Sequence, residues 1–223
     1  MRRLLEGLIR IALFGFTLFL LLQVVRQPFS MPVDSFILTG GVLLAFPVVW
    51  IGRKLLDTQA TAGRAAWITT FVHSALMAIF GAALLRAVIT HQHWSVWTLP
   101  VPGEIGLLLV ILSGAGLLFT VANLALKGLG APFAVALSRR LASDWMYAWT
   151  RNPMALALLA FLLALGIWFR SGLFVVWVLL LVAPAWLAFL KVFEERELEI
   201  RFGSSYMEYK SKTPMLVPRR PKA

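Results

Sequence analysis

Residues 153–193 read PMALALLAFLLALGIWFRSGLFVVWVLLLVAPAWLAFLKVF, and Arg170 is the one charged side chain before Lys191. A helix at a protein–water boundary keeps a polar face, and this stretch has none to offer. A hydrocarbon core about 30 Å thick takes roughly 20 helical residues, so the stretch is too long for one span and suits two. They fall at 153–169 and 172–193, parted by Arg170 and Ser171, which predicts a tight helical hairpin inside a membrane.

Working outward, similar runs lie at 4–25, 35–51, 65–89 and 103–126. The expected fold is therefore all-α, a polytopic transmembrane helical bundle of about six spans. Composition agrees: 60% of the 223 residues are hydrophobic, and the mean hydropathy is +0.84, beyond the usual range of a water-soluble domain. Arg2 and Arg3 precede the first run as in a secretory signal. That run is longer than a signal's apolar region, and Arg26-Gln27-Pro28 supplies no small-residue cleavage site, so it is read as a retained span.

Basic residues concentrate in cytoplasmic loops. With six spans, eighteen of the 21 Lys and Arg fall on one side, in the N-terminus, the loops around 52–64 and 127–152, and the tail. Arg26, Arg86 and Arg170 fall on the other. Both termini are thus expected in the cytoplasm. Topology and anionic lipid headgroups account for the net charge of +11. Nucleic acid is not an expected partner, because no basic stripe is interleaved with aromatics outside the spans. The absence of cysteine excludes disulfides, thiolate metal ligands and a Cys nucleophile.

The first three spans carry no functional signature, and their glycines suit close helix packing. Trp94 and Trp97, and Trp145 and Trp149, are placed as interfacial indoles. His91 and His93 form a His-x-His pair with no carboxylate or third histidine nearby in sequence, so an interfacial loop is expected rather than a metal site. His73 is expected to hydrogen-bond within the bundle. No Ser/His/Asp arrangement or P-loop occurs, and no paired intramembrane charges or interrupted repeated spans suggest a transporter.

Polar residues gather in two blocks that flank the hairpin. In Thr150-Arg151-Asn152-Pro153, Asn suits an N-cap and Pro the first helical position, with Arg151 as a headgroup anchor. The same helix N-terminus could receive a ligand carboxylate. Glu194-Glu195-Arg196-Glu197-Leu198-Glu199 holds four of the ten acids directly after the last span. Glu197 and Arg201 stand at i,i+4 in the favourable order, whereas Glu195 and Glu199 repel at the same spacing. Gly203 can end this helix, and Ser205 with Glu208 forms a capping-box pattern for a short amphipathic successor. Leu198 and Phe202 are expected to face the bundle, with Tyr206 and Tyr209 near the membrane interface. Because the hairpin goes out and returns, Arg151 and Asn152 should neighbour Glu194 and Glu195.

These residues resemble the membrane methyltransferases that include isoprenylcysteine carboxyl methyltransferase and the phospholipid methyltransferases. The resemblance begins at Gly128-Leu129-Gly130-Ala131-Pro132 and runs through Tyr147-Ala148-Trp149-Thr150-Arg151-Asn152-Pro153. It continues with Glu194-Glu195, Leu198, Phe202-Gly203, Tyr206, Tyr209 and Pro214. It implies S-adenosylmethionine (SAM) as cofactor and a lipophilic acceptor, prenyl-type, prenylated or lipid, reached from the bilayer at the cytoplasmic face. Tyr147, Trp149, Arg151, Asn152, Pro153, Glu194, Glu195, Tyr206 and Tyr209 would then bind cofactor, with Glu194, Glu195 and Arg151 in catalytic roles.

Two positions depart from the family pattern: Asn152 stands where it has histidine, and Ala155 where it has tyrosine. Asn cannot take up a proton near neutral pH, which disfavours a base at that position. For an amine acceptor, Glu195 is the expected base. Residues 1–126 would be a membrane-spanning N-terminal part and 127–223 the methyltransferase-like core. Two alternatives remain: an NADPH-dependent sterol or isoprenoid reductase, and a non-catalytic lipid-binding relative of the same fold.

Overall fold

A computed structural model of the protein describes residues 2–94, 96–128, 138 and 140–220. Six apolar helices are present: α1 (Arg2–Arg26), α2 (Met31–Thr58), α3 (Ala62–Thr90), α4 (Gly103–Asn123), α5 (Pro153–Trp168) and α6 (Gly172–Phe202). A short α7 follows over Ser204–Lys212. The five longer helices can each cross a membrane. With 16 residues, α5 reaches only about 24 Å. Helix α6 has 31 residues and runs about 46 Å, so its last turns carry Glu194–Arg201 past a hydrocarbon core as unbroken helix.

Two π-helical stretches interrupt the regular winding of α6, at Val178–Val182 and Phe189–Glu194. Pro184 has no N–H for the carbonyl four residues earlier, that of Leu180, and the first stretch accommodates this mismatch. The second ends on Glu194, just where the polar block begins.

The core is a seam between α2, α3 and α6. Val42, Ala45, Val49 and Leu56 form one stripe of α2, against Val72, Leu76, Phe80 and Ala83 of α3 and Val178, Val182, Phe189 and Phe193 of α6. Helix α1 lies on α3, and α4 lies along α5. The α4–α5 approach is backbone to backbone: a Cβ on Gly106 would stand 2.4 Å from Trp168 Cα, so only glycine fits. Leu108, Leu112 and Leu118 of α4 stay exposed at 57, 60 and 72%, the surface expected where lipid is the solvent.

The two ends of the bundle separate as the charge pattern requires. At one end Arg10 lies over the Trp67 ring, Arg53 donates to Val192 O at 3.1 Å, and Arg196 meets Asp57 at 2.8 Å. At the other, Leu99 N donates to Arg170 O and Gly172 N to Trp97 O, both at 2.8 Å. Arg170 turns the hairpin with φ of 54°, a left-handed conformation that a non-glycine residue adopts at a cost.

Several expectations need correction. A buried charge pair that the sequence reading did not foresee is present: Arg86 on α3 is paired with Asp34 on α2, at 1 and 0% side-chain exposure. Its guanidinium also donates to the carbonyls of Val24, Gln27 and Pro28, and Ser30 N donates to Asp34. Arg86, counted in the sequence only as a charge on the outer side, is therefore a buried clamp on the α1–α2 connection. Beyond the last span, Leu198 and Phe202 are only half-buried, while Glu197 is buried at 2%. Its Oε1 takes the Arg201 guanidinium at 2.5 Å, which lets the carboxylate turn inward. Tyr206 and Tyr209, expected near the interface, are buried within the protein. The capping box does not form either, because α7 starts at Ser204, leaving Ser205 inside the helix and Glu208 paired with Lys212 at 2.7 Å.

Candidate functional site

The site lies at the end of the bundle that carries Asp57 and Arg196. A single helical turn, Met146–Trp149, leads into it. The turn is aimed by Trp145, whose φ is 53°, and tied to α4 by Met146 N donating to Asn123 Oδ1 at 3.2 Å. Asn152 then occupies the N-cap of α5 and Pro153 its first position. The cap is positional only: Asn152 makes no side-chain bond to its own helix, and its Nδ2 instead donates to Met215 O at 3.0 Å.

Arg151 is not a headgroup anchor. Its side chain is 10% exposed, and Nη2 stands 2.8 Å from Glu195 Oε1 on α6. The Lys210 ammonium of α7 meets Glu195 Oε2 at 2.7 Å and Glu199 Oε1 at 3.0 Å. One cation thus bridges the two acids whose i,i+4 repulsion the sequence left uncompensated. Gly203, at φ 55°, makes this contact available by reversing the chain between α6 and α7. Partial burial works against the Lys210 charge, but the two carboxylates prevail and hold its pKa above the ordinary 10.5.

All three tyrosines of the chain meet here. Arg151 Nη1 donates to Tyr206 OH at 3.4 Å, and Tyr209 OH donates to Tyr147 O at 2.6 Å. Burial first, then the neighbouring Glu194 charge, pushes the Tyr147 phenol above its ordinary value. Tyr206 is raised by burial and by Glu195, and Tyr209 by burial and by the other two phenols.

The tail closes over this cluster. Arg151 N donates to Pro214 O at 2.9 Å, and Arg219 N to Trp149 O at 3.0 Å. Thr150 Oγ1 joins Asn152 in donating to Met215 O, also at 3.0 Å. Residues 213–219 therefore form a strap across 149–152, held by backbone and by the side chains of Thr150 and Asn152, of which only Asn152 was expected in the site.

The expected neighbours Arg151, Asn152, Glu194 and Glu195 are brought together, along with Tyr147, Tyr206 and Tyr209. Trp149 stands beside them, 47% exposed. Lys210, Thr150 and the Met215 carbonyl were missed. The unbalanced pair Glu195 and Glu199 was the available signal for Lys210, since two acids on one helix face call for a cation. Ala155, where the family has tyrosine, is 4% exposed in the packed core. His73 takes the expected intrahelical contact, Nδ1 to Thr69 O at 2.9 Å. The start of the resemblance at 129–132 lies outside the described residues.

Arg151 Nε and Glu195 Oε1 are buried without any hydrogen bond, so the close ion pair leaves polar valences open. Glu194 has no hydrogen bond or ion pair among the described residues. Burial, with the charges of Glu197 and Glu195 behind it, pushes the Glu194 carboxyl up to about 8, so a cation brought beside it would favour its ionised form. That acid, an incompletely satisfied guanidinium and adjacent aromatic rings fit the needs of SAM, whose sulfonium and ammonium are cationic and whose carboxylate is anionic.

Comparison with known families gives one match: residues 102–205, just under half of the chain, fit the model of the phospholipid methyltransferases. The resemblance read in the sequence is thereby borne out, and the matched segment takes in α4 as well as the hairpin. No curated protein and no solved structure matches the chain.

Proposed function

From a segment of phospholipid methyltransferase type, 102–205, set in an apolar six-helix bundle, we infer that this protein is a SAM-dependent methyltransferase embedded in a membrane. The acceptor is lipophilic and enters from the bilayer, and the site faces the cytoplasm. The observation that carries this reading is the meeting of Arg151 and Glu195 at 2.8 Å from opposite ends of the hairpin, beside Glu194, which has no ion pair among the described residues. The sidedness rests on the gathering of basic loops at the same end.

When bound, SAM would supply an electrophilic methyl group on a cationic sulfur. The chain's contribution is positional and electrostatic. Arg151 would hold the cofactor carboxylate through the donor left open at Nε. Glu195, shared between Arg151 and Lys210, positions that arginine. This replaces the expectation that Glu195 acts as base: both its oxygens already face cations, whereas Glu194 has no ion pair among the described residues. Glu194 is the group we assign to the cofactor's positive charge and, for an amine acceptor, to the departing proton. Tyr147 and Trp149 offer ring faces to the same cation. The strap at 213–219 would fix the backbone that carries Arg151. Residues 127–223 would act as the catalytic unit, with α4 as its packing partner.

Calorimetry of the purified chain with SAM tests the reading. Binding at micromolar to submillimolar strength, weakened roughly tenfold or more in Glu194→Gln, is the expected result. No binding to folded protein overturns it. Radiolabelled SAM added to native membranes, followed by extraction, then identifies the methylated acceptor. One observation favours a second reading, a non-catalytic lipid-binding relative: the Asn152 amide is spent on the strap rather than turned toward a ligand. SAM binding by the wild type excludes it.

A further inference from the structure

Beside the candidate site, between the strap and α7, is a cavity of about 240 Å³. Its charged lining is wholly basic: Arg151, Lys210, Lys212, Arg219 and Arg220. Of these, Arg151, Lys210 and Lys212 have carboxylate partners, in Glu195, Glu199 and Glu208. Arg219 and Arg220 are exposed and have no side-chain partner among the described residues. At the inner wall the Arg151 side chain is nine-tenths buried, and its Nε–H is without an acceptor. Like charges converge here with too few acids to balance them, and a buried donor is left open.

We propose that this cavity binds the phosphate group of an anionic membrane lipid, seated between Arg219 and Arg220 on the strap and Arg151, Lys210 and Lys212 on the bundle. Guanidinium groups match phosphate oxygens with paired, charge-assisted hydrogen bonds, and ammonium groups add point charges. The cavity is several times the ~30 Å³ that a water molecule claims in the liquid, so a phosphodiester has room to enter. The lipid source follows from placement: the cavity lies at the end of the bundle where the basic loops gather, against a headgroup layer of opposite charge. A bound phosphate would hold the strap to α7 and restrain Arg151, the residue that meets Glu195. Arg151 is shared with the proposed cofactor site, but Arg219, Arg220 and Lys212 are not, so lipid retention and SAM binding can fail separately.

The test uses the full chain in nanodiscs of phosphatidylcholine with a minor fraction of phosphatidylglycerol, with retained lipid read by native mass spectrometry after extraction. Wild type should retain phosphatidylglycerol in preference to phosphatidylcholine. Arg219→Gln/Arg220→Gln, at exposed positions that folding does not require, should weaken that preference roughly tenfold or more. Lys212→Gln should weaken it less. Lys54→Gln/Lys191→Gln removes the same charge from exposed residues outside the cavity and should leave the preference intact. Competition by inorganic phosphate, but not by chloride at equal ionic strength, would support recognition of the phosphate group and reveal a soluble source as well. Retained lipid that phosphate does not displace supports the lipid source alone. Equal loss in the two double variants, or loss in neither, overturns the proposal, because bulk charge would then explain any attraction.

Discussion

The Arg86–Asp34 pair makes the most exacting prediction, because both side chains are essentially removed from solvent. Replacing Arg86 with Met keeps a long side chain but strands the Asp34 carboxylate, which then has only the Ser30 N–H at 2.8 Å. It also frees the carbonyls of Val24, Gln27 and Pro28. Breaking a buried pair from one side costs about 3–5 kcal/mol, chiefly for the charge left behind. Asp34→Asn preserves an oxygen acceptor and should cost less, about 2–3 kcal/mol, the worth of a charge-assisted hydrogen bond. In the double variant neither charge is stranded, so its loss should fall short of the sum by about 1.5 kcal/mol or more. Unfolding by SDS in mixed micelles, followed through the fluorescence of the nine tryptophans, measures all three. Single substitutions each costing below about 1 kcal/mol, or strict additivity, would refute the reasoning and mean that lipid headgroups or water reach the pair.

Other outcomes follow from the same geometry. Because all three phenols are pushed above their ordinary pKa of 10.0, absorbance titration of the folded protein should show no tyrosinate step at that pH, and the step should return there on unfolding. A Lys whose folded pKa is raised stabilises below the unfolded value and loses that contribution as pH rises through the folded one. The stability difference between wild type and Lys210→Met should therefore hold up to about pH 10.5 and shrink above it, as read by unfolding across that range. Gly106→Leu should force α4 off the Trp168 backbone and lower stability by about 1–3 kcal/mol or more, visible in the same SDS assay. Asn152→Ala should loosen the strap, raising hydrogen exchange in 213–219 several-fold while the exchange of α5 stays unchanged.

The fold was legible because lipid imposes a simple rule. A segment crossing hydrocarbon must satisfy its backbone internally and present apolar side chains, so the runs from 4–25 to 172–193 could be counted directly. Loop charges then sorted the helix ends. The meeting of Arg151 with Glu195 was also legible, since a hairpin of two spans returns the chain to the side it left. Sequence order could not reveal what depends on the chain folding back outside the membrane. The Gly203 reversal brings Lys210 between Glu195 and Glu199, and the strap turns Asn152 from a cap into a clasp. The Asp34–Arg86 pair escaped notice for a similar reason: two charges 52 positions apart have no visible relation until α2 and α3 are packed together.

The sequence by itself therefore determined the six apolar helices, their alternation and the two polar blocks at the ends of the last hairpin, because those follow from one-dimensional spacing against a fixed bilayer thickness. Tertiary structure decided which partner each charge took. It assigned Glu195 to Arg151 and Lys210, left Glu194 without an ion pair among the described residues, and left the Nε donor of Arg151 open. Charge pairing acts over a few ångströms between residues distant in the chain, and only the packed helices set those distances.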